Sequence, residues 1–289
     1  MRIVRDRVAL REALAAPRRE GRSIGLVPTM GYLHEGHLSL LRAARAQCDL
    51  VVMSLFVNPA QFGPGEDLDR YPRDEKRDAG LAEAEGADLI YAPPVEEVYP
   101  EGFSTHVRVE GLTEVLDGDP SRRGPGHFRG VTTLVAKLLN SVQPDVAYFG
   151  QKDGQQAVVI RRMVRDLDFP VRIEVLPTVR EEDGLALSSR NAYLGPEDRE
   201  RAVAISRALA AARDGAATGS LQAALEAARR ELAEAGIEPE YLEARDAEDL
   251  SPVAALNGRP VLVAVAAEVG GARLIDNVVI TDPDPPRPG

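Results

Sequence analysis

The segment Asp49–Val57, DLVVMSLFV, decides the fold because it is an almost unbroken run of apolar residues. Such a run is typical of a strand that is covered on both faces, as in a parallel sheet. Around it, short apolar runs alternate with helical patterns of about 10–15 residues, which predicts right-handed βαβ units in a doubly wound α/β sheet. The predicted strands are Ser23–Thr29, Asp49–Val57, Asp88–Ala92, Val146–Gly150 and Val171–Leu176. The predicted helices are His37–Cys48, Arg73–Glu85, Phe128–Val142 and Gly154–Leu167.

The pattern changes near residue 177, where we place the boundary between a domain of residues 1–176 and one of residues 177–289. Two Ala- and Arg-rich helices followed by three short strands predict a small α+β domain there. Turn signals at Asn257-Gly258 and Gly270-Gly271 separate the strands, and the proline-rich Asp282–Gly289 is expected to fray. The segments are the helices Pro196–Asp214 and Leu221–Ala235 and the strands Tyr241–Ala244, Pro260–Ala267 and Ala272–Ile280.

The composition predicts a globular cytoplasmic protein. Of its 289 residues, 44% are hydrophobic, which is enough for a buried core. The formal net charge of −11 argues against nucleic acid or a membrane surface as a partner. Cys48 is the only cysteine, which excludes an intramolecular disulfide and a cysteine-cluster zinc site. We expect neither a signal peptide nor a membrane helix, because no apolar stretch approaches the ~20 residues that a membrane helix needs.

The densest chemical signal is PTMGYLHEGH at residues 28–37, between the first inner strand and the first inner helix. His34 and His37 flank Gly36 at a predicted helix N-terminus, where backbone N–H groups and imidazole N–H groups suit a phosphate. A helical zinc site is excluded, since its histidines stand four residues apart and these stand three apart. The alternative is a pair of surface histidines beside a turn.

Two further loops follow predicted strands, at the edge where open α/β sheets bind ligands. Asn58 and Gln61 could hydrogen-bond a hydroxyl or carboxylate group, or could only form a turn. Lys152 could bind a phosphate, or could be a solvated charge. Asp153 could accept hydrogen bonds from ribose hydroxyls, or could cap the following helix.

The domain junction carries a possible anion site at Ser188, Ser189 and Arg190, where two hydroxyls adjoin a guanidinium. Neither a Walker motif nor G-x-G-x-x-G occurs in the sequence, so the usual support for an ATPase or a dinucleotide-binding protein is missing. Arg122 and Arg123 are either basic groups of a site or part of a charged loop.

Five segments within Ile24–Leu194 resemble, in this order, the pantothenate synthetase family of AMP-forming pantoate–β-alanine ligases. They are PTMGYLHEGH (28–37), FVNPAQFGPGEDLDRYPR (56–73), GHFRGV (126–131), FGQKDGQQ (149–156) and DGLALSSRN (183–191). HEGH is similar to the HIGH signature of the nucleotidylyltransferase and class I synthetase superfamily. LSSRN stands in the place of the KMSKS loop but lacks both lysines.

The resemblance implies a Rossmann-type domain that binds ATP and pantoate (1–176), a C-terminal lid (177–289) and a homodimer. It also implies two half-reactions with Mg²⁺: pantoate and ATP give pantoyl adenylate and pyrophosphate, and the amine of β-alanine then displaces AMP. His34, His37 and Lys152 would be catalytic. The implied ATP-binding residues are Met30, His34, His37, Gly150, Lys152, Asp153, Val179, Leu187, Ser188, Ser189 and Arg190. The implied pantoate-binding residues are Met30, Asn58, Gln61, Tyr71 and Gln156, and no residue is assigned to a metal.

Three other functions are compatible with part of the pattern. A different HxGH nucleotidylyltransferase acting on a small phosphorylated substrate would share the histidine turn but would not need Gln61 and Gln156. A tRNA synthetase is disfavoured by the acidic chain, which has no appended anticodon-binding region. A regulatory nucleotide-binding protein would bind ATP without releasing pyrophosphate when pantoate is supplied.

Overall fold

We describe the fold of residues 1–216, 220–256 and 258–281 from a computed structural model of the chain. The strands are β1 (Arg2–Val4), β2 (Ile24–Thr29), β3 (Leu50–Leu55), β4 (Leu89–Tyr91), β5 (Val146–Gly150), β6 (Arg172–Leu176), β7 (Pro239–Asp246), β8 (Val261–Val269) and β9 (Ala272–Ile280). The helices are α1 (Arg7–Arg19), α2 (Glu35–Gln47), α3 (Glu75–Ala84), α4 (Val95–Val98), α5 (Pro125–Val142), α6 (Gly154–Asp166), α7 (Pro196–Ala216) and α8 (Leu221–Glu234). Short 3₁₀ turns cover Pro59–Gln61, Leu116–Gly118, Gln151–Asp153 and Ser189–Tyr193.

The larger sheet is parallel throughout and has the strand order β1-β4-β3-β2-β5-β6. The predicted doubly wound α/β sheet is therefore confirmed. After β2, the chain adds β3 and then β4 on one side of β2. It then adds β5 and β6 on the other side of β2. This reversal lies between β2 and β5, so Thr29 and Gly150 end adjacent strands at the point where such sheets usually bind ligands.

The middle of β3 is buried on both faces, as its apolar sequence predicts. Val51, Val52 and Met53 have no exposed surface. Val51 and Met53 belong to the hydrophobic core that includes Leu41 and Ala44 of α2, which are also fully buried. This packing fixes the direction of β3, and thereby fixes where the polar residues that follow it begin.

The smaller sheet is an antiparallel meander in the order β7-β8-β9, with α7 and α8 in the same hydrophobic core. Gly270 and Gly271 join β8 to β9 in a two-residue turn, with φ of +57° and +72°. Both values lie in the left-handed region that this kind of hairpin turn requires and that glycine adopts without strain. The predicted α+β arrangement and the Gly270-Gly271 turn are confirmed.

The chain divides into two compact units that are not simple halves of the sequence. The first unit comprises Met1–Glu114, Gly118–Gly150 and Val159–Pro177. The second unit gathers Val115–Asp117 and Gln151–Val158 together with the chain from Thr178 onward. Two short segments from the middle of the sequence therefore fold with the C-terminal elements. Asn257 of the predicted Asn257-Gly258 turn and the segment predicted to fray, Asp282–Gly289, lie outside the described residues.

A membrane-spanning helix was not expected from the sequence. Across the described ranges, none of the helices combines the length and the apolar character that crossing a bilayer requires.

Candidate active site

The two histidines of the 28–37 segment form the N-terminus of α2. His34 is the N-cap residue, and its Nδ1 accepts a hydrogen bond from the Gly36 N–H at 3.2 Å. The Nδ1 atom of His37 accepts one from the His34 N–H at 3.4 Å, which completes a capping box. Because both Nδ1 atoms accept hydrogen bonds from the backbone, Nε2 is the atom of each ring that can donate one. The ring centroids are 4.1 Å apart, so the turn presents two N–H donors side by side.

The loop before these histidines is held by Asp78 of α3, a residue that the sequence did not single out. Its carboxylate, only 1% exposed, accepts the backbone N–H of Tyr32 at 2.6 Å and that of Leu33 at 2.8 Å. The Arg77 guanidinium lies 3.3 Å from the same carboxylate. Charged acceptors make short, strong bonds to backbone N–H groups, so Asp78 fixes the chain that leads into His34.

Beyond β3, the 3₁₀ turn Pro59–Gln61 and its N-cap residue Asn58 provide two of the residues assigned to pantoate. Asn58 is fully buried, and its Nδ2 donates to Gly130 O at 3.1 Å and to Gln61 Oε1 at 3.2 Å. The Nε2 of Gln61 in turn donates to the Met30 sulfur at 2.9 Å. The structure therefore brings Met30, Asn58 and Gln61 together in one hydrogen-bonded chain.

Tyr99, at the end of α4, contacts this chain and was missed by sequence reasoning. Its hydroxyl donates to Asn58 Oδ1 at 2.8 Å. Burial raises the pKa of Tyr99 to about 12, although the bond to Asn58 offsets part of that rise. The hydroxyl is therefore protonated at neutral pH and able to donate. Tyr71, also assigned to pantoate, is buried and packs edge-on against Phe62, with ring centroids 6.1 Å apart.

Helix α5 presses directly on the 3₁₀ turn at Gly130. A Cβ atom at this position would lie 2.2 Å from Ala60 O and 2.6 Å from Gln61 N. Only glycine allows the two backbones to come this close. The GHFRG segment thus contributes the surface against which Gln61 is placed.

Arg123, one of the two arginines whose role the sequence left open, is engaged in an ion pair. Its guanidinium binds both carboxylate oxygens of Glu66, and Nη1 lies 3.2 Å from His127 Nε2. Partial burial acts to raise the pKa of Glu66, but the bond and charge of Arg123 outweigh it and hold that pKa below its ordinary value. His127 Nδ1 also lies 2.7 Å from Gln61 O, which links this cluster to the 3₁₀ turn.

In the second unit, the 3₁₀ turn Gln151–Asp153 places Lys152, and β9 holds that turn. The buried Asn277 of β9 donates through Nδ2 to Gln151 O at 2.8 Å and to Lys152 O at 2.9 Å. Gln151 Nε2 donates back to Asn277 Oδ1 at 2.8 Å. The Nζ of Lys152 lies 3.6 Å from Asp153 Oδ1. Asn277 was not recognised from sequence.

The DGLALSSRN segment forms a tight hairpin in the second unit. Leu187 N–H donates to Val179 O at 3.0 Å, so these two residues, both assigned to adenine, are paired across the hairpin. Arg180 anchors the hairpin through two bonds to the buried Asp276, at 2.6 and 3.1 Å. Ser188 caps the next turn by accepting the Arg190 N–H at 3.2 Å.

A cavity in the second unit brings together two residues that were assigned to the phosphates. Lys152 and Ser188 line it, with Leu185, Asn191 and Asp276 among the other lining residues. Ser189 is buried directly beside Ser188.

Two other residues assigned from sequence, Gly150 and Gln156, lie at the end of β5 and at the start of α6. Gly150 is the last residue of β5, next to β2 in the sheet. Gln156 lies half-buried in the first turn of α6. The ligand assigned to each site residue stays a prediction.

Known proteins match this chain over nearly its whole length. Residues 2–279 match the family model described as pantoate-beta-alanine ligase. The pantothenate synthetase of Moorella thermoacetica is 58% identical over 283 residues, which cover 97% of this chain and 99% of the relative.

Two solved structures show the same likeness. The pantothenate synthetase of Thermus thermophilus superposes with a TM-score of 0.90 at 52% identity, covering 96% of this chain and 99% of that one. The Francisella tularensis pantoate-beta-alanine ligase, solved in complex with beta-gamma ATP and beta-alanine, gives a TM-score of 0.80 at 32% identity, with coverage of 96% and 97%. With its fold, its motifs and its relatives in agreement from end to end, this chain belongs to the pantoate–beta-alanine ligase family.

Proposed function

We propose that this chain joins pantoate to β-alanine at the expense of ATP through a pantoyl-adenylate intermediate. The pantoate carboxylate attacks the α-phosphorus of ATP, and pyrophosphate leaves. The β-alanine amine then attacks the acyl carbon, and AMP leaves with the electron pair of the broken C–O bond. The ATP-dependent ligation follows from the family, and the division into two steps is the proposal.

The observation that carries the proposal is the histidine capping box at the start of α2. Both rings use Nδ1 as an acceptor and so direct Nε2–H away from the backbone. During adenylation, negative charge accumulates on the phosphoryl oxygens and on the departing pyrophosphate. Fixed N–H donors stabilise such charge without reorganising, and they act beside the positive end of the α2 dipole.

Lys152, Ser188, Ser189 and Arg190 are proposed to complete the phosphate contacts, and Gly150 and Asp153 to hold the ribose. Support comes from the common cavity of Lys152 and Ser188 and from the anchoring of their two segments to β9. Val179 and Leu187 are proposed to offer backbone groups to adenine. Since LSSRN has no lysine, Lys152 and Arg190 supply the positive charge in this set.

Pantoate is proposed to bind at the chain of residues that ends in Gln61, with Asn58, Tyr71, Gln156 and the Met30 backbone. Neutral amides suit a dihydroxy acid with apolar methyl groups, whereas a phosphate calls for cations. The residue range 1–176 would accordingly bind ATP and pantoate. The lid role of residues 177–289 is a proposal that rests on the family resemblance.

Magnesium is proposed to enter with ATP as part of the substrate. Within residues 1–216, 220–256 and 258–281, no group of three histidine, cysteine or acidic side chains could hold a metal ion. The side chains assigned to the phosphates donate hydrogen bonds or carry positive charge, so they do not form a cation cage. Mg²⁺ commonly keeps several waters and binds through substrate phosphates, which fits this donor set.

We also propose that the enzyme is a homodimer that acts in the cytoplasm. The support is the family resemblance, together with the single, buried cysteine, which suits a reducing compartment. Sedimentation of the purified chain at several concentrations tests the dimer directly.

The exchange of labelled pyrophosphate into ATP tests the reaction scheme. We expect exchange to require pantoate and to proceed without β-alanine. His37→Ala and Lys152→Ala should each lower it by about 100- to 1000-fold, as when one preorganised donor is removed from developing charge. Both variants should still convert preformed pantoyl adenylate and β-alanine far better than this loss would suggest, because that step follows the charge build-up.

The matched control is Lys76→Ala, which removes an exposed lysine from α3 and should leave exchange unchanged. Exchange that demands β-alanine contradicts the two-step scheme. Exchange with a phosphorylated substrate, and none with pantoate, would instead favour the other nucleotidylyltransferase function.

A further inference from the structure

We infer that Tyr99 positions Gln61 through Asn58, so that Gln61 meets pantoate with its amide N–H group and not with its oxygen. This inference rests on the proposed binding of pantoate at Gln61. Tyr99 would thus take part in substrate recognition without contacting the substrate. Gln61 would be the hydrogen-bond donor in its contact with pantoate.

The orientation of the Asn58 amide is settled by its backbone neighbours. Its Oδ1 accepts the Ala60 N–H at 3.2 Å, and its Nδ2 donates to Gly130 O at 3.1 Å. A flipped amide would set two donors against each other at Ala60 and two acceptors against each other at Gly130. Because Asn58 is fully buried, no water can relieve such a mismatch, and the flip is disfavoured.

The orientation of Gln61 follows from that of Asn58. The Nδ2 of Asn58 donates to Gln61 Oε1 at 3.2 Å, so the oxygen of Gln61 is turned toward the protein. Its Nε2 is turned toward Met30, whose sulfur is 2.9 Å away. A thioether is a weak acceptor. A carboxylate or hydroxyl oxygen of pantoate offers the same N–H a stronger bond.

Tyr99 completes the set by giving Asn58 Oδ1 its shortest hydrogen bond, at 2.8 Å. Its ring is fixed between Phe56 and Phe103, with centroid distances of 6.4 and 5.2 Å. The hydroxyl is therefore held in place by packing and needs no reorganisation when substrate arrives. Without it, the buried Oδ1 keeps only the longer bond from Ala60, so the distance between Asn58 and Gln61 is held less tightly.

Steady-state kinetics of Tyr99→Phe test the inference. We expect KM for pantoate to rise about tenfold, the effect of removing one donor from a buried acceptor, while KM for ATP stays at the wild-type value. Tyr148→Phe is the matched control, since it removes a buried hydroxyl from β5 that contacts Cys48 and not Asn58. The control should lower the melting temperature at most and leave both KM values unchanged.

Two substitutions at Gln61 test the polarity independently of Tyr99. Gln61→Glu replaces the donor end with an acceptor, so it should bind pantoate more weakly than Gln61→Leu, which offers neither. Equal or better pantoate binding by Gln61→Glu would overturn the donor assignment. A Tyr99→Phe enzyme with wild-type KM for pantoate would overturn the positioning role. Failure of the wild-type chain to form pantothenate from its three substrates would refute the proposed function instead.

Discussion

Substituting Gly130 by alanine is expected to displace the Pro59–Gln61 turn and to impair the use of pantoate. The added Cβ would lie 2.2 Å from Ala60 O, whereas ordinary van der Waals contacts begin at 3.4 Å. The clashing atoms belong to the backbone of a short turn, so no side chain can rotate out of the way. The turn, and Gln61 with it, must move by about 1 Å, a misplacement that can cost about 100-fold in rate.

The expected effect on stability has the opposite sign to that of an ordinary helix substitution. In a helix interior, alanine is favoured over glycine by about 1 kcal/mol. Overpacking a tight contact costs about 1–3 kcal/mol, so the Gly130→Ala protein should be less stable by up to roughly 2 kcal/mol. If the turn moved far enough to relieve the clash completely, only the stabilisation of about 1 kcal/mol from alanine in the helix would remain.

The assay compares pantoate-dependent AMP formation and thermal unfolding in Gly130→Ala and Gly126→Ala. Gly126 lies in the same helix, and a Cβ there would have no atom within 4 Å, so its substitution should be neutral or stabilising. We expect kcat/KM for pantoate to fall about 100-fold only in the Gly130 variant. If both variants kept wild-type kinetics and both gained stability, the close approach of α5 to the turn would not hold Gln61.

Three further substitutions test contacts that hold the site. Asn277→Ala removes the hydrogen bonds that hold the Lys152 turn and should lower pyrophosphate exchange about tenfold or more. Unchanged exchange would show that the turn keeps its conformation without Asn277. Asp78→Asn removes the negative charge that accepts hydrogen bonds from two backbone N–H groups. We expect this to lower the free energy of unfolding by about 1.5–3 kcal/mol in a urea titration. An unchanged midpoint concentration of urea would contradict the role of Asp78 in holding this loop. Glu66, whose pKa Arg123 holds below the ordinary 4.5, should stabilise the protein above that pH and lose this contribution as pH falls through its folded-state pKa. The difference in unfolding free energy between wild type and Glu66→Gln should therefore shrink from about pH 7 to about pH 3, and a constant difference contradicts the ion pair.

Most of the parallel sheet could be predicted because its four inner strands, β2, β3, β4 and β5, are buried and therefore mainly apolar in sequence. Val146–Gly150 of this sheet and Ala272–Ile280 of the smaller antiparallel sheet are predicted with the bounds that the structure gives. Helix α2 begins two residues before the predicted His37, because a histidine caps it and histidine is not among the usual N-cap residues.

The first two elements were not predicted. Strand β1 has only three residues and lies at the edge of the sheet, so it carries too little pattern. Helix α1 contains Pro17 and many charges, which obscure its apolar face. The spacing of Leu10, Leu14 and Pro17, all buried, was the signal that could have revealed it.

The residues of the candidate site also differ in whether a local sequence pattern reveals them. The histidine turn and the polar residues after β3 and β5 are recognisable because they stand next to one another in sequence. Tyr99, Asp78 and Asn277 are not, because each acts on residues 41 to 126 positions away. No local pattern marks such a residue, and only the folded chain shows what its side chain contacts.

The hold of Asn277 on the Lys152 turn has a consequence for synthesis of the protein. Asn277 leaves the ribosome 125 residues after Lys152, which at cellular elongation speeds is a delay of roughly 6–25 s. A nascent chain that stalls between Arg190 and Asn277 already carries every residue assigned to the site, yet it lacks the strand that holds the Lys152 turn. Adenylating capacity should therefore arise late, when β9 has joined its sheet, and prematurely terminated products should not consume ATP.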